Sequence, residues 1–379
     1  MLSVVFLLGT LLCACGGASS TSASTPPGPP SSTTPTAEAP TISASTANGA
    51  QNGAVIVTLS SATSGAKIYY TLDGSEPTTA SQKYQAPILV ASNLTIRAMA
   101  TRSDSSASTV VSKSFMSNIV SGTLVWSEEF SDTSAVNGQP NPATWTYDIG
   151  TNCCGNNELE TYCAWDSTSE PCDPANPNAY VGADGFLHIV AQRPKPGKPV
   201  YTSARLKSQG LFSFQYGRIE ARMKLPESQG MWPAFWLLGD NIATDRWPAC
   251  GELDIMEHID GSNPPIGGAG PGYDWVQSSV HGTRLDGGAP YTATGFSAAA
   301  WHRYGMIWTK GRIQYYIDDP SQVYETFTAA TQTGIWPFDS GPQFILLNLA
   351  VGGRWPGLPN LTTVFPSQML VDYVRIYSD

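Results

Sequence analysis

Three acids fall within six residues in the segment Trp247-Pro248-Ala249-Cys250-Gly251-Glu252-Leu253-Asp254-Ile255-Met256-Glu257-His258. Carboxyls gathered among apolar neighbours suit acid–base and nucleophilic chemistry. Mutual repulsion and partial burial keep one protonated while another stays ionised. On a helix, at ~100° per residue, Glu252 and Asp254 would face opposite ways. On a strand they share a face, and Leu253 and Ile255 turn to the other. Plain alternation would then send Glu257 to the wrong face. One extra residue, a β-bulge at Ile255–Met256, returns it to the acids. Two glutamates so placed match the ~5–5.5 Å separation of a retaining glycosidase, with Asp254 between them able to tune the nucleophile. The plainer alternatives are a solvated acidic strand or a calcium site. The flanking Trp, Cys, Leu, Ile and Met speak against the solvated strand.

Such a strand needs a sheet, and the chain offers many. From about residue 122 to 379, strand-like runs alternate with Gly, Pro, Asn and Asp turns, as in 217–223, 312–317 and 370–377. Few segments carry helical periodicity, so an all-β two-sheet sandwich is expected there. Residues 41 to 116 form a smaller β-rich module with runs at 55–59, 67–72 and 94–99 and a turn at Asp73-Gly74-Ser75. It reads as a small β-sandwich with no acid pair suited to catalysis, serving as a spacer or a weak carbohydrate-binding module. Residues 16–40 are rich in Ser, Thr, Pro, Ala and Gly and read as a linker. Residues 1–15 are a short apolar targeting segment ending Leu12-Cys13-Ala14-Cys15-Gly16, which resembles a bacterial lipoprotein box with Cys15 as the lipidated residue. No Lys or Arg precedes Lys67, so the usual basic start is missing. Ordinary secretion is the alternative. Either way the expectation is an extracellular or envelope protein that meets a membrane only through an anchor.

Export permits disulfides. Of seven cysteines, Cys163 and Cys172 flank a polar insert and could pair, leaving Cys153, Cys154 and Cys250 with one odd member. No zinc spacing is present. A net charge of −10 without a basic run excludes nucleic acid as a partner. With only 13% charged residues but 11 Trp and 16 Tyr, the chain suits a neutral ligand with flat faces, such as a sugar.

The motif Glu252-x-Asp254-x-x-Glu257 resembles glycoside hydrolase family 16 in its bulged, laminarinase-like form. The resemblance extends through Val125-Trp126-Ser127-Glu128-Glu129-Phe130, Gly155-Asn156-Asn157-Glu158-Leu159-Glu160-Thr161-Tyr162, 214–222, Gly230-Met231-Trp232-Pro233-Ala234-Phe235-Trp236, Ser279-Val280-His281-Gly282, 348–357 and 371–377. The smaller module, through 68–78, resembles the Ig-like domain at the C-terminus of chitobiases and hexosaminidases. What the family resemblance implies is a β-jelly-roll with a polysaccharide cleft, Glu252 as nucleophile, Glu257 as acid/base and Asp254 assisting. It needs no cofactor for catalysis. Trp232, Trp236, Trp247 and Trp355 are then candidate sugar-stacking residues. Asn157, Arg205 and His281 are candidate hydrogen-bonding residues, and Glu158 and Glu160 read as cleft-edge or structural. Glu129 and Asp372 sit where the family often holds a structural calcium ion; an ordinary hydrogen-bonded pair is the alternative. The insert 163–178 and the stretch 263–272 depart from the family pattern and should border the cleft.

The expected function is endo-hydrolysis of 1,3-β-glucan by a monomer. A mixed-linkage glucanase or galactan hydrolase keeps the mechanism with another substrate. A non-catalytic glucan-binding recognition protein is the competing class; relatives of that kind lack the acids, and all three are present here.

Overall fold

Apolar residues at every second position of long strands force two sheets to pack face to face. The computed structural model describes residues 34–131, 138–151, 155–193, 200–260 and 274–379. Among these, one short 3₁₀ turn, Asp240–Ala243, is the sole helical element. The front sheet runs in the order Ser213–Phe214, Gln343–Val351, Met231–Gly239, Glu252–Glu257, Trp275–Gly282, Leu285–Thr292, with Arg205–Lys207 and Thr146–Asp148 joined beside Gln343–Val351. The back sheet runs Ala179–Val181, Leu187–Ala191, Ser367–Tyr377, Gly217–Lys224, His302–Thr309, Arg312–Ile317, Val323–Thr328, with Leu124–Glu128 on Ser367–Tyr377. Phe235, Leu237, Leu253, Val276, Val280, Ile345, Leu347 and Leu349 of the front sheet meet Ile219, Ala221, Met223, Met306, Trp308, Val371 and Val374 of the back sheet in one core. This is the all-β jelly-roll sandwich expected from the strand pattern.

The alternate residues of each strand face outward, and the two sheets use them differently. On the back sheet Glu220 is buried outside the core, where it accepts from Tyr316 Oη (2.6 Å), Arg218 Nη1 (2.7 Å) and Tyr377 Oη (3.1 Å). A buried carboxylate needs such donors to offset its lost hydration. Gly305 lies opposite both Glu220 and Tyr316, and a Cβ there would fall 2.1 Å from the tyrosine ring. The glycine is therefore what lets the ring reach the acid.

The N-terminal module is itself a two-layered sandwich. Strands Thr41–Ser45, Val55–Ser60 and Ile88–Val90 face Gln82–Lys83, Lys67–Thr71, Leu94–Thr101 and Val111–Phe115 across a core of Val57, Leu59, Ile68, Tyr70, Val90, Ile96 and Ala98. The chain joins it earlier than composition indicated. Ala37 is buried in this core, and its N–H donates to Ser106 O at 3.0 Å, so the structured region reaches into the 16–40 stretch. The module is also not a separate bead. Strand Ile88–Val90 pairs in parallel with Ser213–Phe214, so three module strands continue the front sheet. Ala50, Ala54, Ile56 and Leu89 belong to the main core, and Trp126 Nε1 donates to Asn48 O at 2.7 Å while its ring stacks on Phe212.

Cys163 and Cys172 form a disulfide and Cys250 is free and buried, while Cys13, Cys15, Cys153 and Cys154 lie outside the described residues, as does the stretch 263–272.

Deleting the module, residues 1–117, should uncover Phe212, Phe214 and Trp126 and unpair a sheet edge. Scanning calorimetry should show the remaining chain melting about 5–10 °C or more below the whole chain, the consequence of several kcal/mol of lost burial. An unchanged melting temperature would show that the shared sheet adds nothing to stability.

Candidate active site

Strand Glu252–Glu257 has neighbours on both sides, and their registers decide where its acids point. Leu238, Trp236 and Ala234 oppose Glu252, Asp254 and Glu257 on one side; His281, Ser279 and Gln277 oppose the same three acids on the other. Both ladders slip between Asp254 and Glu257, so Ile255 and Met256 together stand against the single residue Ser278. This is the β-bulge that the acid spacing required. Two consecutive apolar residues anchor it, since Ile255 and Met256 are 1% and 0% exposed in the core. Ser278 Oγ satisfies the bulge by donating to Ile255 O at 2.7 Å. The outward face therefore gathers Glu252, Asp254 and Glu257 with Gln277, Ser279 and His281, and the row continues through Ala234 to Asn348, Arg205 and Asp148.

The charges on this face are not symmetric. His281 Nε2 lies 3.1 Å from Asp254 Oδ2 and 3.9 Å from Glu252 Oε1, and Nδ1 lies 2.7 Å from Asp286 Oδ1. Burial pulls the imidazole pKa down, but the Asp254 hydrogen bond and the charges of Asp254, Glu252 and Glu257 outweigh it and raise it to about 10. His281 is thus a fixed cation. Burial, then the charge of Asp254, pushes Glu257 up to about 8, against pulls from His281 and a 3.0 Å hydrogen bond from Trp232 Nε1. Burial and Asp254 also push Glu252 up, but there two cations, His281 and Arg205, pull the other way. Burial and Asp254 thus hold both glutamates toward the protonated form, and a proton shared within the cluster is what acid and nucleophile chemistry requires. Glu252, Asp254 and His281 could geometrically resemble a metal set, their donor atoms lying within 4.8 Å. The imidazolium already supplies the positive charge there.

The remaining candidates separate into three groups. Trp232 is half-buried and meets half-buried Trp355 edge-to-face at 5.4 Å, both at the Glu257 end of the row. Trp247 is 58% exposed, on the loop that leads into the Glu252 end. Trp236 is 8% exposed; its Nε1 donates to Asn348 Oδ1 at 2.8 Å, and the Arg205 guanidinium covers its ring at 4.7 Å. It forms floor beneath the acids rather than a free stacking wall. Arg205, 4% exposed, is held between Tyr162 and Trp236 with Asp148 at 3.7 Å, and works on Glu252 through its charge. Asn157 is exposed, with φ of 60°, in the loop that leads to buried Glu160. Glu160 accepts from Val351 N at 2.7 Å, and burial followed by the nearby Glu158 charge raises it to about 8. It ties that loop to strand Gln343–Val351.

Sequence reasoning missed Asn348, Gln277, Asp148 and Asp286. A signal existed for the first two. Asn348 interrupts the apolar run 344–351, and Gln277, Ser279 and His281 alternate with Val276 and Val280. Asp148 and Asp286 carry no such signal, because only strand pairing brings them here.

Glu129 and Asp372 do not fit a calcium set as arranged. Glu129 is gripped by Arg375 through Nε (2.9 Å) and Nη2 (2.8 Å), and Asp372 accepts from Arg222 Nη1 at 2.7 Å. Each carboxylate is neutralised by its own guanidinium, whereas calcium needs several uncompensated oxygens around one point.

An all-β sandwich that gathers a carboxylate cluster on one outward sheet face has the layout of a glycoside hydrolase. Comparison with known proteins agrees. The family model Glycosyl hydrolases family 16 matches residues 174–375, and Fn3 associated matches 57–115. The chain is 36% identical over 273 residues to a Beta-glucanase of Rhodothermus marinus, covering 67% of this chain and 84% of that one. It is 32% identical to Glucan endo-1,3-beta-glucosidase A1 of Niallia circulans, covering 68% of this chain but 38% of that one. The laminarinase catalytic domain of Thermotoga maritima matches with a TM-score of 0.56 and 35% identity, covering 69% of this chain and 99% of that one. The chain belongs to glycosyl hydrolase family 16 and is a glycoside hydrolase.

Arg205→Met should make Glu252 harder to ionise and move the acid limb of kcat/KM to higher pH, while Arg205→Lys, which keeps the charge, should leave that limb in place. Matching profiles for Met and Lys would show that Arg205 does not act through its charge.

Proposed function

We propose that this enzyme cleaves 1,3-β-glucan internally with retention of configuration, using Glu252 as nucleophile and Glu257 as acid/base. The observation that carries the reading is the bulge, which sets both glutamates about Asp254 on one face while the cations flank Glu252. In the first step the Glu252 carboxylate attacks the anomeric carbon, the glycosidic C–O bond breaks, and Glu257 gives its proton to the departing oxygen. In the second, Glu257 takes a proton from water, the hydroxide oxygen bonds the anomeric carbon, and Glu252 leaves as carboxylate. No cofactor is needed for either step. Asp254, paired with the His281 cation at 3.1 Å, holds charge between the two glutamates.

The substrate rests on likeness. Relatives named for β-glucan and 1,3-β-glucan cleavage match the chain across the whole sandwich. Trp232, Trp355 and Trp247 would hold pyranose rings by their apolar C–H faces. In the same reading the enzyme works outside the cytoplasm as a monomer, tethered through a diacylated Cys15, with the sandwich held off the membrane by the Ser/Thr/Pro-rich stretch. A calcium ion at Glu129 and Asp372 would require both to release their arginines.

Three measurements test this. Products from laminarin, barley mixed-linkage glucan and agarose, each incubated with the whole chain, should be short 1,3-linked oligosaccharides from laminarin, with little from the others. Release mainly from barley glucan or agarose would move the substrate and keep the chemistry; binding without cleavage would favour the recognition-protein class. Glu252→Ser should abolish hydrolysis in a folded protein, and retained turnover would remove Glu252 from the nucleophile role. Glu257→Ala should slow natural glucan by about 10²–10⁴-fold and aryl glycosides with good leaving groups far less. Equal losses on both would argue against an acid role.

A further inference from the structure

His281 is pinned at both ends. Nε2 meets Asp254 Oδ2 on the neighbouring strand at 3.1 Å, and Nδ1 meets Asp286 Oδ1 on the other neighbouring strand at 2.7 Å. The placement follows from register: Glu252, His281 and Asp286 lie directly opposite one another on three adjacent strands. A carboxylate only accepts hydrogen bonds. With a carboxylate within ion-pair distance of each ring nitrogen, the cation, in which both nitrogens carry hydrogen, is the favoured form. Asp254 alone would require one N–H and would leave the tautomer and ring plane to be set by solvent. Asp286 side-chain exposure is 75%, so the contact adds little to folding stability; what it does is fix orientation and protonation.

We propose that Asp286 is a positioning residue that locks His281 as a doubly protonated, oriented cation against the acid cluster. The groups that face His281 are Asp254, Glu252 and Glu257 from one side and Asp286 from the other, with Arg205 acting on Glu252 from beyond. Its raised pKa comes from the side of the ring that faces Asp254, Glu252 and Glu257. The consequence for turnover rests on the nucleophile assignment made above. If the ring turns away, the acid cluster loses a cation, Glu252 retains a proton to higher pH, and attack on the anomeric carbon slows. Asp286 thus extends the working range on the acid side without touching the sugar.

The test uses two variants of the whole chain and two readouts. Asp286→Ala removes the acceptor and the charge; Asp286→Asn keeps a carbonyl acceptor for Nδ1–H but removes the charge. Ring ¹⁵N NMR should find both His281 nitrogens protonated through neutral pH in the parent, and a midpoint lowered by about half a unit to one unit in Asp286→Ala. The acid limb of kcat/KM should move up by a comparable amount, and Asp286→Asn should fall between. An unmoved His281 titration in both variants would overturn the proposal. So would a loss of activity that is uniform across pH and accompanied by a lower melting temperature. A displaced His281 titration with an unaltered pH profile would uphold the tether and count against Glu252 as nucleophile.

Discussion

The structure turns on one extra residue in one strand. Glu252, Asp254 and Glu257 can share a face only because Ile255 and Met256 both fold inward, against the single Ser278 of the neighbouring strand. Burying two consecutive apolar side chains is what makes the irregularity stable, and the serine hydroxyl supplies the hydrogen bond that the widened backbone would otherwise lack. Core and chemistry are thus the same constraint seen from two faces. The inward set, Leu253, Ile255 and Met256, determines the direction of the outward set.

Three carboxyls side by side on a half-buried face would repel one another or fill with protons. The sheet answers with cations placed unequally. His281 comes from the next strand at the level of Glu252, and Arg205 enters from the far side, stacked on Trp236. Glu257 instead has an indole N–H and the apolar Ala234 beside it. Two chemically identical glutamates therefore stand in different surroundings, and a retaining mechanism gives two such carboxyls different roles.

The N-terminal module changes how the chain should be divided. The chain's two family matches are separate along the sequence, yet a parallel strand pair joins the modules into one sheet and Trp126 is held from the module side. The shared apolar contacts make the module part of the platform on which the active face is built. Through that continuity the module extends the front sheet by three strands.

The sequence by itself determined the class of fold, the acid strand and its bulge. Those follow from local rules: alternation fixes which side chains share a face, and acids five residues apart can share one only with an insertion. It also carried the Cys163–Cys172 pair, which lies close along the chain. Only the tertiary structure decided what surrounds the acids. Asp286, Asp148 and Asn348 are 29 to 109 residues distant from Glu257 in the chain and arrive through strand pairing. Trp236 and Arg205 look like ligand-binding residues until their mutual stacking and burial show that each satisfies the other. Glu129 and Asp372 look like a metal pair until each is found on its own arginine. Residue type announces what a side chain can do, but its partner is set by packing between distant segments, and no spacing along the chain records that.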